Sequence, residues 1–163
     1  MPVVTLGLGA NLGDRLAALQ RAVDLLAEEG VRTVASSRVW ETAPVGGPKG
    51  QPRYLNAVVL AETTLSPEEV LAAAHRVEDA LDRVRVVRWG PRTIDVDVLL
   101  YDDLVRDDPD LTIPHPRMTQ RAFVIMPLLE VDPDPVLPDG RRVVDLPAPD
   151  GDAQPFAAPL RSP

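Results

Sequence analysis

Two aspartates that are one residue apart, Asp95 and Asp97, are the side chains in this sequence best suited to carry chemistry. They lie in TIDVDVLLY (93–101), where apolar and polar residues alternate as they do in a strand with one buried face. The residues predicted on the buried face are Ile94, Val96, Val98 and Leu100. On the opposite face the Cα atoms of the aspartates would be about 6.6 Å apart, and a hard cation such as Mg²⁺ would relieve the repulsion between the carboxylates. The alternative is a solvated strand face that binds nothing.

Four arginines precede the acidic pair within ten residues: Arg83, Arg85, Arg88 and Arg92. This stretch contains no acidic residue, although the whole chain has a formal net charge of −8. Each guanidinium stays charged at any working pH and can hold two phosphate oxygens. Together with a metal ion, the arginines would form a clamp for a polyphosphate. An exposed loop with solvated arginines is the alternative interpretation.

Three more side chains are candidates for such a site. His115 lies between two prolines in TIPHPRM, and these prolines restrict its backbone. Its imidazole would either lie near phosphate or make a hydrogen bond within a turn. Arg121 follows a few residues later and would extend the cationic wall. Trp89 lies among the loop arginines, where it would either anchor the loop to the core or stack on a ring.

The composition excludes several classes of protein. A chain of 163 residues is most simply one domain, which buries about two-thirds of its unfolded surface. The net charge of −8 argues against general binding to nucleic acid or anionic membranes. Without cysteine there is no disulfide or thiolate metal site, and we see neither an apolar run of membrane-spanning length nor a signal peptide. We therefore expect a cytoplasmic protein.

The periodic segments follow the order β-α-β-β-α-β. Strands are predicted at residues 2–8, 31–41, 54–63 and 93–101, and helices from Asp14 to Gly30 and from Ser66 to about residue 81. Asp14 would cap the first helix, and Ser66 with Glu69 would form a capping box on the second. This order predicts an α+β, ferredoxin-like βαββαβ core, with an antiparallel sheet flanked by helices in three αβα layers.

The remaining segments carry weaker signals. Residues 117–130 predict an additional helix that bends or ends near Pro127. We expect one domain over residues 1–140 and a proline-rich, irregular C-terminal tail over residues 141–163. GLGANLG (7–13) is similar to a dinucleotide fingerprint, but its glycine spacing differs, so we interpret it as a tight turn between strand and helix.

Five motifs together resemble the 6-hydroxymethyl-7,8-dihydropterin pyrophosphokinases of folate biosynthesis. The motifs are GANLGD (9–14), ETAPVGGPKGQPRYLNAV (41–58), RWGPRTIDVDVLLY (88–101), IPHPRM (113–118) and RAFVIMPLLE (121–130). The resemblance covers about residues 3–140, and RWGPRTIDVD is far more specific than the acidic pair inside it. It implies an ATP-dependent diphosphotransferase that moves a pyrophosphoryl group from ATP to the hydroxymethyl oxygen of the pterin and releases AMP. Residues 1–140 would then be the pyrophosphokinase domain.

The resemblance also implies which residues form the site. Asp95 and Asp97 match the ligands of two Mg²⁺ ions that bind with ATP. Phosphate-contacting positions are matched by Arg83, Arg92, His115 and Arg121. Of these, Arg83 and Arg92 would also serve catalysis. Positions that line the nucleotide are matched by Glu78, Arg85, Trp89, Val98 and Thr112. The pterin pocket is matched by Thr42, Pro44, Val45, Gly46, Tyr54, Asn56, Trp89 and Phe123. In that pocket Asn56 would hydrogen-bond the edge of the pterin, and Phe123 would stack on its ring.

The expected partners are therefore ATP and the pterin, without nucleic acid or membrane, and we expect a monomer. Two alternatives remain open. A ferredoxin-like regulatory module would bind a nucleotide without turnover, but it would leave the acidic pair and the Asn56–Phe123 pocket unused. A metal-dependent phosphodiesterase would hydrolyse its substrate without any pterin, but such sites usually contain more carboxylates or histidines than this sequence offers near Asp95.

Overall fold

The computed structural model describes residues 1–43, 52–81, 94–149 and 151–163. The first half contains β1 (Val3–Ala10), α1 (Arg15–Glu28), β2 (Val31–Ser36), β3 (Val39–Thr42), β4 (Tyr54–Thr63) and α2 (Pro67–Leu81). The second half contains β5 (Asp95–Tyr101), β6 (Arg106–Asp107), β7 (Thr112–Ile113), α3 (Ala122–Val131) and β8 (Ala153–Ala157). Short 3₁₀ helices at Met118–Gln120 and Val143–Asp145 flank α3. None of the helices in these ranges combines the length and the hydrophobicity that a membrane-spanning helix requires.

Six of the described strands form one sheet in the order β5-β1-β4-β3-β8, and β2 pairs with β4 as well. All of these pairings are antiparallel. Helices α1 and α2 pack on one face of the sheet, in a core that includes Leu19 and Val70. Helix α3 covers part of the other face, where Leu128 belongs to the same apolar cluster as Val58 of β4. The predicted ferredoxin-like core with three αβα layers is therefore confirmed.

Local signals explain where the two longer helices begin and where the first one ends. Asp14 accepts a hydrogen bond from the backbone N–H of Ala17 at 3.1 Å, which satisfies a donor of the first turn of α1. Before α2 the backbone N–H of Ser66 donates to Glu69 Oε1 at 2.9 Å, while Ser66 Oγ accepts from the N–H of Glu69 at 3.2 Å. This reciprocal pair is the predicted capping box. After α1 the chain turns at Gly30 with φ +92°, a conformation that glycine adopts without strain.

The prediction of one strand over residues 31–41 is wrong, because the chain forms two strands there. β2 ends at Ser36 and β3 begins at Val39. At the break, Ser37 binds the backbone of Val58 twice: its N–H donates to the carbonyl at 2.9 Å, and its Oγ accepts from the N–H at 3.0 Å. Both strands still pair with β4, so the break leaves the topology unchanged.

The predicted alternation in β5 is correct as far as Val98 and wrong at Leu100. Thr5 of β1 pairs with Leu100, but its neighbour Leu6 pairs with Val98, so β5 contains one extra residue, Leu99. An extra residue of this kind is a β-bulge, and it changes which face the following side chains occupy. Leu99 and Leu100 consequently both pack in the apolar cluster on the α3 side of the sheet.

The C-terminal part differs from the prediction in two ways. The helix expected at 117–130 is a 3₁₀ turn followed by α3, which continues through Pro127 to Val131. The tail expected to be irregular contains β8, which extends the sheet beside β3. Pro155 is compatible with this strand because β8 lies at the edge of the sheet, where not every backbone N–H needs a partner. A domain boundary near residue 140 stays a prediction.

Candidate functional site

A cavity of about 260 Å³ lies between the sheet and the beginning of α3. Strands β1, β4 and β5 form its walls, together with the end of β3 and the segment just before α3. The predicted site residues that line it are Thr42, Tyr54, Asn56, Asp95, Asp97, Arg121 and Phe123. Because these residues come from segments far apart in the chain, only the folded protein brings them together.

The acidic pair lines this cavity from β5. Asp95 and Asp97 are partly exposed, whereas Val96 and Val98 between and beside them are buried in the core under α1 and α2. Because β5 pairs with the interior strand β1 along this stretch, the backbone that carries the two carboxylates is held by the sheet. This is the arrangement that the alternating pattern predicted.

Gly7 and Gly9 of β1 form the wall of the cavity beside the acidic pair. Gly7 lies opposite Asp97, while Gly9 lies opposite Asp95 on one side and Asn56 on the other. A Cβ atom at Gly9 would be 2.9 Å from Asn56 Oδ1, so a larger residue would displace that amide. The interpretation of GLGANLG as a strand-to-helix turn is wrong for these two glycines, because β1 runs through both. Two glycines at strand spacing were the signal that the sequence reasoning missed.

The end of the cavity formed by β3 and β4 is polar and buried. Asn56 Nδ2 donates to Thr42 Oγ1 at 2.6 Å, and both residues are almost fully buried. This bond holds the amide in one orientation. Tyr54 of β4 and Phe123 of α3 add aromatic surface to the same cavity. Such a combination suits a flat heterocycle that carries hydrogen-bonding groups along one edge.

Two arginines bring positive charge to the cavity. Arg121 was predicted, and its guanidinium carbon lies 5.4 Å from the centroid of the Phe123 ring, within cation–π range. Arg117 also lines the cavity, although it was not among the predicted site residues. The available signal was its place in IPHPRM, two residues after His115.

His115 lies beside these charges and is half-buried. Its backbone N–H donates to the Leu99 carbonyl at 2.9 Å, which attaches the segment to β5, and its Nδ1 accepts from the N–H of Arg117 at 3.2 Å. Burial lowers the pKa of the His115 imidazole, Asp97 opposes that shift, and the positive charges of Arg121 and Arg117 add to it. Because the pKa lies below the ordinary 6.5, the ring is mostly neutral at pH 7.

Three residues predicted to line a nucleotide are not among those that border this cavity. Glu78 Oε2 accepts from the backbone N–H of Val96 at 2.9 Å, so this carboxylate holds the strand that carries the acidic pair. Val98 is buried under α1 and α2, and Thr112 is in β7. Their contact with a nucleotide stays a prediction. A further group of predicted residues lies outside the described part of the chain: Pro44, Val45, Gly46, Arg83, Arg85, Trp89 and Arg92.

The donor set at Asp95 and Asp97 suits a hard divalent cation, because carboxylate oxygens are the ligands that Mg²⁺ prefers in proteins. Across the described ranges, no group of three or more histidine, cysteine, aspartate or glutamate side chains is arranged to hold a metal ion. Other ligands would therefore come from water or a bound phosphate, as is common for Mg²⁺. The residues present fit an ion of this kind.

Comparison with solved structures agrees with the fold. The chain superposes on an HPPK-DHPS structure described as a complex with substrates, with a TM-score of 0.61, 11% identity and 80% of this chain covered. It superposes equally well on wild-type Plasmodium falciparum HPPK-DHPS, with a TM-score of 0.64, 14% identity and 84% of this chain covered. This chain spans 40% and 42% of those longer chains. At such low identity the likeness shows the fold alone.

Comparison with other sequences is more specific. The family model for 7,8-dihydro-6-hydroxymethylpterin-pyrophosphokinase (HPPK) matches residues 5–133. The 2-amino-4-hydroxy-6-hydroxymethyldihydropteridine pyrophosphokinase of Methylorubrum extorquens is 46% identical over 133 residues, 81% of this chain and 84% of that protein. The enzyme of the same name from Aquifex aeolicus is 37% identical over 165 residues, 99% of both chains. The chain therefore belongs to the 7,8-dihydro-6-hydroxymethylpterin-pyrophosphokinase family.

Proposed function

We propose that this protein transfers a pyrophosphoryl group from ATP to the hydroxymethyl group of 6-hydroxymethyl-7,8-dihydropterin, releasing AMP, as a step of folate biosynthesis. Membership of the HPPK family supports this reaction. The structural observation that carries it is that one cavity joins the carboxylates of Asp95 and Asp97 to the polar, aromatic pocket around Asn56. A phosphate-binding end and a heterocycle-binding end that share one cavity suit a transfer between ATP and a pterin.

The pterin occupies the end of the cavity formed by β3, β4 and α3. The amide of Asn56 has both a donor and an acceptor, which match the alternating groups on the edge of a pterin. Thr42 orients that amide through the 2.6 Å hydrogen bond. Phe123 stacks on the bicyclic ring, and Tyr54 closes the side of the pocket.

The triphosphate of ATP lies against Asp95 and Asp97, which hold Mg²⁺, and we propose two ions. The bound metal would neutralise charge on the phosphates as the pyrophosphoryl group moves. Arg121 and Arg117 add positive charge from the other side of the cavity. Arg83 and Arg92, from outside the described residues, are proposed to contact the same phosphates. Positioning and charge compensation of this kind are what phosphoryl transfer requires of a protein.

The direct test is the release of AMP from ATP and Mg²⁺, measured with the pterin omitted and then restored. We expect AMP only when the pterin is present. Nucleotide binding without AMP in either case would indicate a regulatory module, and AMP or inorganic phosphate released without pterin would indicate a hydrolase. Either result would overturn the proposal.

We also propose that the protein acts as a monomer in the cytoplasm. The chain mass is 17.7 kDa, and light scattering behind a sizing column distinguishes a monomer of that mass from a dimer. A mass near twice this value would contradict the proposal.

A further inference from the structure

The C-terminal strand β8 pairs with β3, one of the strands that form the proposed pterin end of the cavity. It pairs with β3 in a register that sets Ala153 opposite Thr42. Thr42 in turn accepts the 2.6 Å hydrogen bond from Asn56. The family model ends at residue 133, so the model does not include this strand. The backbone that supports the Thr42–Asn56 pair is therefore bordered by a segment beyond the end of the family model.

An ion-pair chain connects the residue before β8 to the residue before β4. Asp152 Oδ2 lies 3.0 Å from a guanidinium nitrogen of Arg53, and Arg53 also pairs with Glu41 at 3.2 Å. Arg15 pairs with Glu41 at 3.3 Å and donates to the Arg53 carbonyl at 2.8 Å. The carboxylate of Asp152 raises the pKa of the Arg53 guanidinium, with a smaller contribution from Glu41. Because Arg53 immediately precedes Tyr54, these contacts fix the backbone from which Tyr54 enters the pocket.

A close packing contact connects the same segment to α3. A Cβ atom built at Gly151 would be 2.9 Å from the Cβ of Ala122, so only glycine fits there without movement. Ala122 is the first residue of α3 and lies between two residues that line the cavity, Arg121 and Phe123. Residues 151–153 thus contact or pair with each of the three segments that form the pterin end.

The far end of the tail is anchored independently. Leu160 is buried in the core under α1 and α2, and its backbone N–H donates to Ser36 Oγ at 3.2 Å. Gln20 of α1 makes two hydrogen bonds of 2.9 Å with the backbone of Arg161. A segment held in this way has a defined position and can support its neighbours.

We infer that Gly151 and Asp152 are positioning residues for the pterin, because they hold Thr42, Tyr54 and the start of α3 at the spacing that the heterocycle requires. This inference rests on the proposed function. It makes the C-terminal tail part of the substrate site, although neither residue borders the cavity. A tail that only stabilises the fold would affect ATP and pterin alike, whereas a positioning role affects the pterin selectively.

The test compares Asp152→Asn and Gly151→Ala with the control Asp139→Asn. Asp139 is a suitable control because it also forms an exposed ion pair, with Arg141 at 2.7 Å, and it does not border the cavity. For each variant, AMP formation gives kcat and the KM values for ATP and pterin, and thermal unfolding gives Tm. For Asp152→Asn we expect the KM for pterin to rise about two- to fivefold, with kcat and the KM for ATP unchanged. Gly151→Ala should raise the same KM further, because its Cβ displaces Ala122.

A double-mutant cycle with Arg53→Gln shows whether Asp152 acts through its partner. We expect Arg53→Gln and the double variant to have the same KM for pterin, since removing Asp152 has no further effect once Arg53 is gone. If the tail variants match Asp139→Asn, or if both KM values rise together as Tm falls, the inference is overturned and the proposed function stands. A wild-type protein that forms no AMP overturns the proposed function and this inference with it.

Discussion

The carboxylate of Asp97 and two guanidinium groups act electrostatically on the imidazole of His115. Asp97 raises the pKa of His115, whereas Arg121 and Arg117 lower it, so all four groups are within electrostatic reach. Two positive charges face a strand with two carboxylates, and a phosphate chain with its metal ions carries both signs of charge. This mixture of charges supports the proposed binding of ATP together with Mg²⁺.

Replacing Asp97 tests whether the two ends of the cavity have different functions. We expect Asp97→Ala to lower kcat by at least about two orders of magnitude while pterin binding stays largely intact. Binding of Mn²⁺ in the presence of ATP, followed by electron paramagnetic resonance, should weaken in parallel. Asp110→Ala, at an exposed aspartate before β7, is the control. Unchanged turnover in Asp97→Ala would overturn the assignment of Asp97 as a metal ligand.

In the metal-free protein, the pKa of His115 depends on the charges of Asp97, Arg121 and Arg117. Because its pKa is lower in the folded protein than the ordinary 6.5, the unfolded chain binds more protons between those two values, and stability rises with pH in that window. In an NMR titration, Asp97→Asn should lower the His115 midpoint further and Arg121→Gln should raise it. Shifts of the opposite sign would show that these groups do not face the imidazole.

At the scale of elements, Glu130 joins α3 to β3. Its carboxylate accepts from the Arg38 N–H at 3.0 Å, from Arg38 Nε at 2.6 Å and from Trp40 Nε1 at 2.9 Å. Partial burial raises the pKa of Glu130, but the hydrogen bonds from Trp40 and Arg38 together lower it below its ordinary 4.5. Helix α3 also carries Phe123 at its beginning, so this contact supports the pocket wall from the far end of the helix.

Glu130→Ala should lower the free energy of unfolding by about 2 kcal/mol at pH 7, because it leaves the buried Trp40 donor without its acceptor. The contribution of Glu130 is complete above pH 4.5 and is lost as the pH falls through the lowered pKa, so the difference from wild type should shrink at low pH. Urea unfolding at several pH values measures this. Glu62→Ala, which removes an exposed pair with Arg32, should cost about 0.5 kcal/mol or less. Equal losses in both variants would contradict a special role for Glu130.

At the scale of the whole molecule, the tail closes an edge of the sheet. Without β8, the strand β3 would present unpaired backbone groups to solvent, and the buried Leu160 would leave the core. The C-terminal segment therefore contributes to the stability of the domain as well as to the proposed pocket.

Deleting residues 151–163 should lower the free energy of unfolding by about 2–4 kcal/mol, a loss comparable to emptying a core leucine site. Deleting only Ser162 and Pro163, which are exposed, is the control and should change nothing measurable. Denaturant unfolding of the two truncated proteins provides the comparison. If the longer deletion were equally harmless, the pairing of β8 with β3 would carry no stability.

Features that depend on neighbours along the chain were predictable from the amino-acid sequence. The caps at Asp14 and Ser66 were predictable because a cap is formed by residues three positions apart. The direction of Asp95 and Asp97 followed from the period of a strand. Because RWGPRTIDVD is long and specific, the family could be identified before any contact was known.

Features that depend on contacts between distant segments were not predictable until the fold was known. The bulge at Leu99 arises from pairing with β1, and the role of Gly9 depends on the amide of Asn56 in the adjacent strand. The strand β8 has little local preference for its conformation and forms because β3 offers it an edge. Pairing between distant segments overrides weak local propensity. For that reason the cavity wall formed by Gly7 and Gly9 and the position of the tail could not be predicted from the sequence.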